Sequence, residues 1–175
     1  MSTFKQFLND IHACDDAKLW IGSRGLKSAW RDCDRPDWMC WFLLHLNADQ
    51  RELRAWALGV LEPEMHRLPV RGGSRFKAVD LLRQWISDDS SSDRELMKTV
   101  NRVDDLVFIK GSLPARHIHQ AVSYICDTSF SSGIDSGIDH LMDACSNLDH
   151  VAWCDQLRLA FPYEAVLALK RESGA

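Results

Sequence analysis

The stretch AWRDCDRPDWMCWFLLHL, Ala29 to Leu46, decides how this chain is read. It sets three of the seven tryptophans, Trp30, Trp38 and Trp41, among Arg31, Asp32, Asp34, Arg35 and Asp37. Pro36 fits the first turn of a helix, where a missing N–H costs nothing, and Asp37 beside it favours the positive helix start. On a helix opening there, Trp38, Trp41 and Phe42 stand at i, i+3 and i+4 and make one aromatic face. Large rings go to the core and charges of both signs stay in water. A segment that interleaves them is a helix junction tied down by ion pairs or the floor of a binding site. Both readings stay open at this point.

Outward from this stretch the period is helical almost everywhere. Phe4, Phe7, Leu8, Ile11 and Cys14 follow the three-four spacing, which Ala17, Trp20 and Ile21 continue until Gly22 and Gly25 break it. A short helix is expected over Leu26–Cys33. Ala48–Leu61 reads as another, with Pro63 marking its end. Ser74 is placed to cap a helix carrying Phe76, Val79, Leu82, Trp85 and Ile86. SDDSSSD at 87–93 is a polar loop, and Ser92 with Glu95 makes a capping-box pattern for the next helix. Pro114 opens a helix with Ile118, Val122 and Ile125 inward. Ile134, Ile138, Leu141, Met142, Cys145 and Leu148 make a further face, which Val151–Phe161 continues or restarts. Pro162 interrupts before a last short helix to Arg171. No alternating strand and no Asn-Gly hairpin signal stands out. The expected fold is all-α, a single-domain bundle over residues 1–175 of roughly eight to nine helices. The 87–93 loop is the place where it would divide into subdomains.

Composition narrows the function. The 175 residues are 46% hydrophobic and 26% charged, enough for a core in a soluble domain. A net charge of −4 argues against nucleic acid as a partner, because phosphate binding needs a basic surface. No run reaches membrane-span length, and Trp38–Leu46 has only nine residues. The first sixteen residues, MSTFKQFLNDIHACDD, carry acids and no long apolar run, so no secretory signal is read there and a cytoplasmic place is expected. The six cysteines contain no CxxC pair. They are read as reduced, small core residues.

Candidate chemistry is sparse. No GxSxG and no His-Glu-x-x-His occurs, so no catalytic residue, metal ligand or cofactor is assigned. His117 and His119 would share a face on a strand but point about 200° apart on a helix. Asp139 and Asp143 lie four apart with His140 between them, and His150 is near in sequence. That set supports a third-ranked reading as a metal-dependent hydrolase. Arg71-Gly72-Gly73-Ser74 before a helix start could hold an anion through its amides.

Three blocks, taken together, carry a resemblance. They are Ala13-Cys14-x-x-Ala17-x-x-Trp20, then Ala29-Trp30-x-x-Cys33-x-Arg35-x-Asp37-Trp38, then Arg75-Phe76-Lys77-Ala78-Val79 with Trp85 six residues on. This resembles the Imm5-like immunity family, small helical proteins of phages and bacteria, over about the first 110 residues. Pro36 stands where that family has glycine, Phe76 where it has proline, and the last third lacks the usual alanine richness. The resemblance implies a non-enzymatic protein that neutralises a protein partner, either a toxin or, if phage-encoded, a host-defence component. The alternative is a protein that binds or sequesters a small anionic ligand such as a nucleotide signal, with Arg31, Arg35, Arg71, Arg75 and Lys77 as contacts. The binding residues expected on these grounds are Trp30, Arg35, Asp37, Trp38, Arg71, Arg75 and Lys77. Arg35, Asp37 and Arg75 are expected to meet at one junction.

Overall fold

Every element of the described chain is a helix. The structure, a computed structural model, describes residues 4–67, 73–87, 93–107, 112–128, 133–145 and 150–173. In chain order the helices are α1 (Phe4–Asp10), α2 (Asp15–Ile21), α3 (Leu26–Asp32), α4 (Pro36–His45), α5 (Gln50–Arg67), α6 (Gly73–Ser87), α7 (Asp93–Val107), α8 (Leu113–Cys126), α9 (Gly133–Ala144), α10 (His150–Ala160) and α11 (Tyr163–Glu172). The all-α expectation holds, but eight to nine helices is too few. One continuous reading, Phe4 to Ile21, breaks: His12 takes φ 57° and the Ala13 N–H bonds back to the Leu8 carbonyl at 2.9 Å, a left-handed stop made without glycine. Cys14 then caps α2, its sulfur accepting from the Ala17 N–H at 3.4 Å. Of the two alternatives after the Ile134–Leu148 face, the chain takes the restart: α9 ends at Ala144 and α10 begins at His150.

Pro63 does not end its helix. It lies inside α5, four residues after Gly59, whose carbonyl loses its usual donor. Gly59 is exposed, so water can replace that donor. Pro36 and Pro114 occupy first turns, as expected. Ser92 of the capping-box pattern, Leu148 and most of the 87–93 loop lie outside the described residues.

Packing divides the chain into two units. Unit 1 takes both ends, Met1–Ala48 and His150–Ala175; unit 2 is the continuous segment Asp49–Asp149 set between them. The helices flanking the 87–93 loop, α6 and α7, pack on one another within unit 2. In unit 1, Leu43, Cys40, Met39, Leu157 and Val166 are buried where α4 packs on α10 and around it. In unit 2, Leu53, Leu61, Leu82, Val103, Ile118, Ile125, Ile134 and Ile138 are buried completely. Its most intimate pair is α8 with α9. A Cβ on Gly137 would sit 2.6 Å from Ile125 Cγ1 and 3.2 Å from the Ala121 carbonyl oxygen. A Cβ on Gly133 would sit 2.7 Å from the Tyr124 carbonyl oxygen. Only glycine lets the two backbones approach this closely.

None of the six cysteines is joined in a disulfide, and five are buried. Cys14, the α2 cap, is exposed and so departs from the core reading. Burial pushes Cys33 up to about 11 and Cys126, Cys145 and Cys154 up to about 12. Such thiols are inert nucleophiles at neutral pH. No described helix is long and apolar enough to cross a membrane.

Candidate functional site: a tryptophan-lined socket in unit 1

The Ala29–Leu46 stretch is both a junction and a pocket wall. Helices α2, α3 and α4 place Trp20, Trp30, Trp38, Trp41, Met39 and Phe42 around a cavity of about 50 Å³. The wall is almost wholly apolar. Trp30 forms the floor at 5% exposure, tilted against Phe42 with ring centres 6.5 Å apart. Phe4 and Phe7 meet Phe42 edge-on at 5.8 and 5.9 Å. Trp20 and Trp38 are half-buried and meet edge to face at 6.2 Å. Such T-shaped pairs suit the ring quadrupoles.

Both rim tryptophans carry a cation. The Arg35 guanidinium lies 4.8 Å from the Trp38 ring centre and the Arg24 guanidinium 4.9 Å from that of Trp20. Arg24 also donates to the Trp20 carbonyl. Arg35 is held in place by a fork: Nε donates to Asp37 Oδ1 at 2.8 Å and Nη2 to Asp37 Oδ2 at 2.6 Å. Asp37 is nearly buried and Arg35 is partly open to solvent. Bidentate pairing fixes a guanidinium plane as a single hydrogen bond would not. The plane is thereby pinned over the indole.

Arg158 of α10 secures the stretch from beneath. Its Nε donates to the Trp30 carbonyl at 2.9 Å, its Nη2 to the Cys33 carbonyl, and its Nη1 to Asp155 Oδ1 at 2.7 Å. The last carbonyls of α3 have no intrahelical partner, and a cation there also meets the negative end of the helix. Sequence reading gave no sign of Arg158, because the two carbonyls it clamps are more than 120 residues away.

The expected binding residues separate into two groups. Trp30, Arg35, Asp37 and Trp38 come together at the socket. Arg75 and Lys77 belong to unit 2, so each is described there. Lys77 is an exposed residue paired with Glu95 at 2.7 Å. Arg71 lies outside the described residues. Arg31, proposed as an anion contact, is exposed and forks onto Asp32 at 2.6 and 2.9 Å.

Arg75 has an unusual place. It is 4% exposed, with its guanidinium 4.5 Å from the Phe76 ring centre, and its Nε and Nη1 have no hydrogen-bond partner. His119, 6% exposed, lies within its field and has an unpartnered Nδ1. Burial and the Arg75 charge together hold the His119 imidazole below its ordinary value. Burial and His117 do the same to His140. At acidic pH the unfolded chain therefore binds more protons than the folded one, and stability rises with pH in that range. Unit 2 is expected to lose stability as pH falls below about 6.5, the ordinary histidine value. Urea unfolding at stepped pH between 7.5 and 5.5 checks this. His119→Leu, which cannot titrate, should flatten the slope; an unchanged slope in that variant would show that His119 is not its source.

Compared with protein-family models, with curated proteins and with solved structures, the chain matches none of them.

Proposed function

We propose that the chain is a non-enzymatic binding protein that captures a protein partner through the tryptophan socket and neutralises it. The observation that carries this reading is an open apolar pocket framed by two tryptophans, each stacked by an arginine. Tryptophan and arginine dominate the energetic centres of protein interfaces. A cavity of about 50 Å³ takes the end of one aliphatic or aromatic side chain. Small-molecule sites run to roughly 300–1,000 Å³, and a nucleotide also needs polar groups that this wall does not offer. The Imm5-like resemblance points the same way and supplies the class of partner: a toxin or, for a phage gene, a component of host defence.

The test is capture by the purified full chain, compared with Trp38→Ala and Arg35→Ala. Both residues are part-exposed, so the helical circular dichroism spectrum should persist. A partner held by the wild type is expected to be lost by at least tenfold in affinity from Trp38→Ala, the scale of one interface hot spot. The wild type should also inhibit the activity of the captured partner. Equal capture by the variant, or a captured protein whose activity is untouched, would overturn the proposal.

The small-anion reading keeps one observation in its favour, the buried Arg75, whose Nε and Nη1 lack hydrogen-bond partners, within the field of His119. Both residues belong to unit 2. Calorimetric titration with inorganic phosphate and a cyclic dinucleotide tests it directly, with Arg75→Met as the control.

A further inference from the structure

The close approach of α8 and α9 does more than fill the core of unit 2. It brings His117 of α8 opposite His140 and Asp143 of α9. The two imidazole Nδ1 atoms lie 3.4 Å apart, and His117 Nδ1 lies 3.7 Å from Asp143 Oδ2. One ligand atom from each of the three falls within 4.8 Å of the others. Among the described residues, this is the group of histidine, cysteine and carboxylate side chains gathered tightly enough to hold an ion. His140 and Asp143 stand at i and i+3, so one helix face presents both.

We propose that His117, His140 and Asp143 form a binding site for a divalent transition-metal ion of the zinc class. A tetrahedral ion with ligand bonds of about 2.0–2.1 Å sets its ligand atoms roughly 3.3 Å apart. The imidazole pair already has that spacing, and a small rotation of the exposed Asp143 brings in the carboxylate. Two nitrogens and one oxygen suit zinc, cobalt, nickel or copper(II), whereas magnesium and calcium prefer all-oxygen sets. Tyr124 stacks on the His140 ring at 5.4 Å and 17°, which fixes the ring plane. Burial keeps His140 in the neutral form that a metal needs. His117 is mostly buried and Asp143 is 58% exposed, so the site opens to solvent on the carboxylate side. Three protein ligands leave a fourth position for water, the arrangement of an accessible rather than a closed structural site.

The sequence brings together two of these three residues, His140 and Asp143. Asp139, His140 and Asp143 were grouped on one helix; the structure replaces Asp139 with His117 and leaves His150 in the other unit. His119 faces Arg75 instead, as the helical angle between the two histidines requires.

The experiment uses the full chain stripped with chelator and titrated with cobalt(II), whose visible bands report tetrahedral coordination. One equivalent is expected to bind, to be displaced by zinc(II) and to be unaffected by excess magnesium. His117→Ala and His140→Ala should abolish the bands. Asp143→Asn, at an exposed position that does not threaten folding, should weaken binding about tenfold or more. Cys14→Ser should leave the bands unchanged. Absence of the bands, or bands that survive in Asp143→Asn and either histidine variant, would overturn the proposal. So would a sulfur-to-cobalt charge-transfer band lost in Cys14→Ser, because the ion would then be elsewhere.

Discussion

Arg54→Ala is expected to destabilise unit 2 by about 3–5 kcal/mol, the range for removing one partner of a buried charged network. Arg54 lies on α5 and is fully buried. Its guanidinium donates to the Ile125 carbonyl and, through Nη2, to the Asp127 carbonyl at 2.8 Å. These are the terminal carbonyls of α8, which the helix itself cannot satisfy. Burial pulls the Arg54 pKa down to about 10, so the side chain is still a cation at neutral pH. Alanine would leave a cavity, one buried acceptor and one part-buried acceptor without the guanidinium. Arg54→Met fills most of the volume and also removes the cost of burying a charge, so it should lose less. Urea midpoints for the two variants give the order, and hydrogen exchange at the α8 amides locates the loss. An alanine variant with the wild-type midpoint would mean that water serves those carbonyls equally well.

Trp30→Ala is expected to cost unit 1 about 3–5 kcal/mol, the usual price of truncating a buried tryptophan. Its indole Nε1 is buried without a hydrogen-bond partner, so the ring contributes by packing and not by a polar contact. Trp38→Ala should cost clearly less, because Trp38 is half-buried and one face is covered by Arg35. The two tryptophans sit eight positions apart in one segment yet divide the labour between floor and rim. Thermal unfolding of both variants checks the ranking. Equal losses would place Trp38 in the core and remove the rim of the socket.

The helices were legible because three-four apolar spacing and the prolines at 36 and 114 are local signals. What misled was also local. His12 and Asn47 both take φ 57°, a conformation usually marked by glycine, and Ala48 repeats the stop seen at Ala13 by bonding to the Leu43 carbonyl at 3.0 Å. Nothing in the apolar period announces a non-glycine residue in that role. Pro63 misled in the opposite sense, because a helix long enough on both sides tolerates one missing donor. The socket was half legible: the density of Trp, Arg and Asp marked the segment, but the Arg35–Asp37 fork, two positions apart at a helix start, follows from no helical spacing. Arg54, Arg158 and the His117–His140 pair were not legible. Each joins helices distant in the chain, and a lone arginine or histidine on a helical face looks the same in sequence whether it meets water or a carbonyl.

The order of the two units along the chain has a consequence for synthesis. Unit 2 is contiguous and can complete its contacts as soon as it has left the ribosome. Unit 1 cannot, because α10 and α11 follow about a hundred residues of unit 2. At about 5–20 residues per second, that interval lasts roughly 5–20 s. Throughout it the nascent chain carries Trp30, Trp38 and Trp41 without Arg158, the residue that clamps their segment. The tryptophan-lined wall of unit 1 is thus translated before unit 2 and completed after it. A chaperone that reads exposed aromatic side chains would meet this segment first.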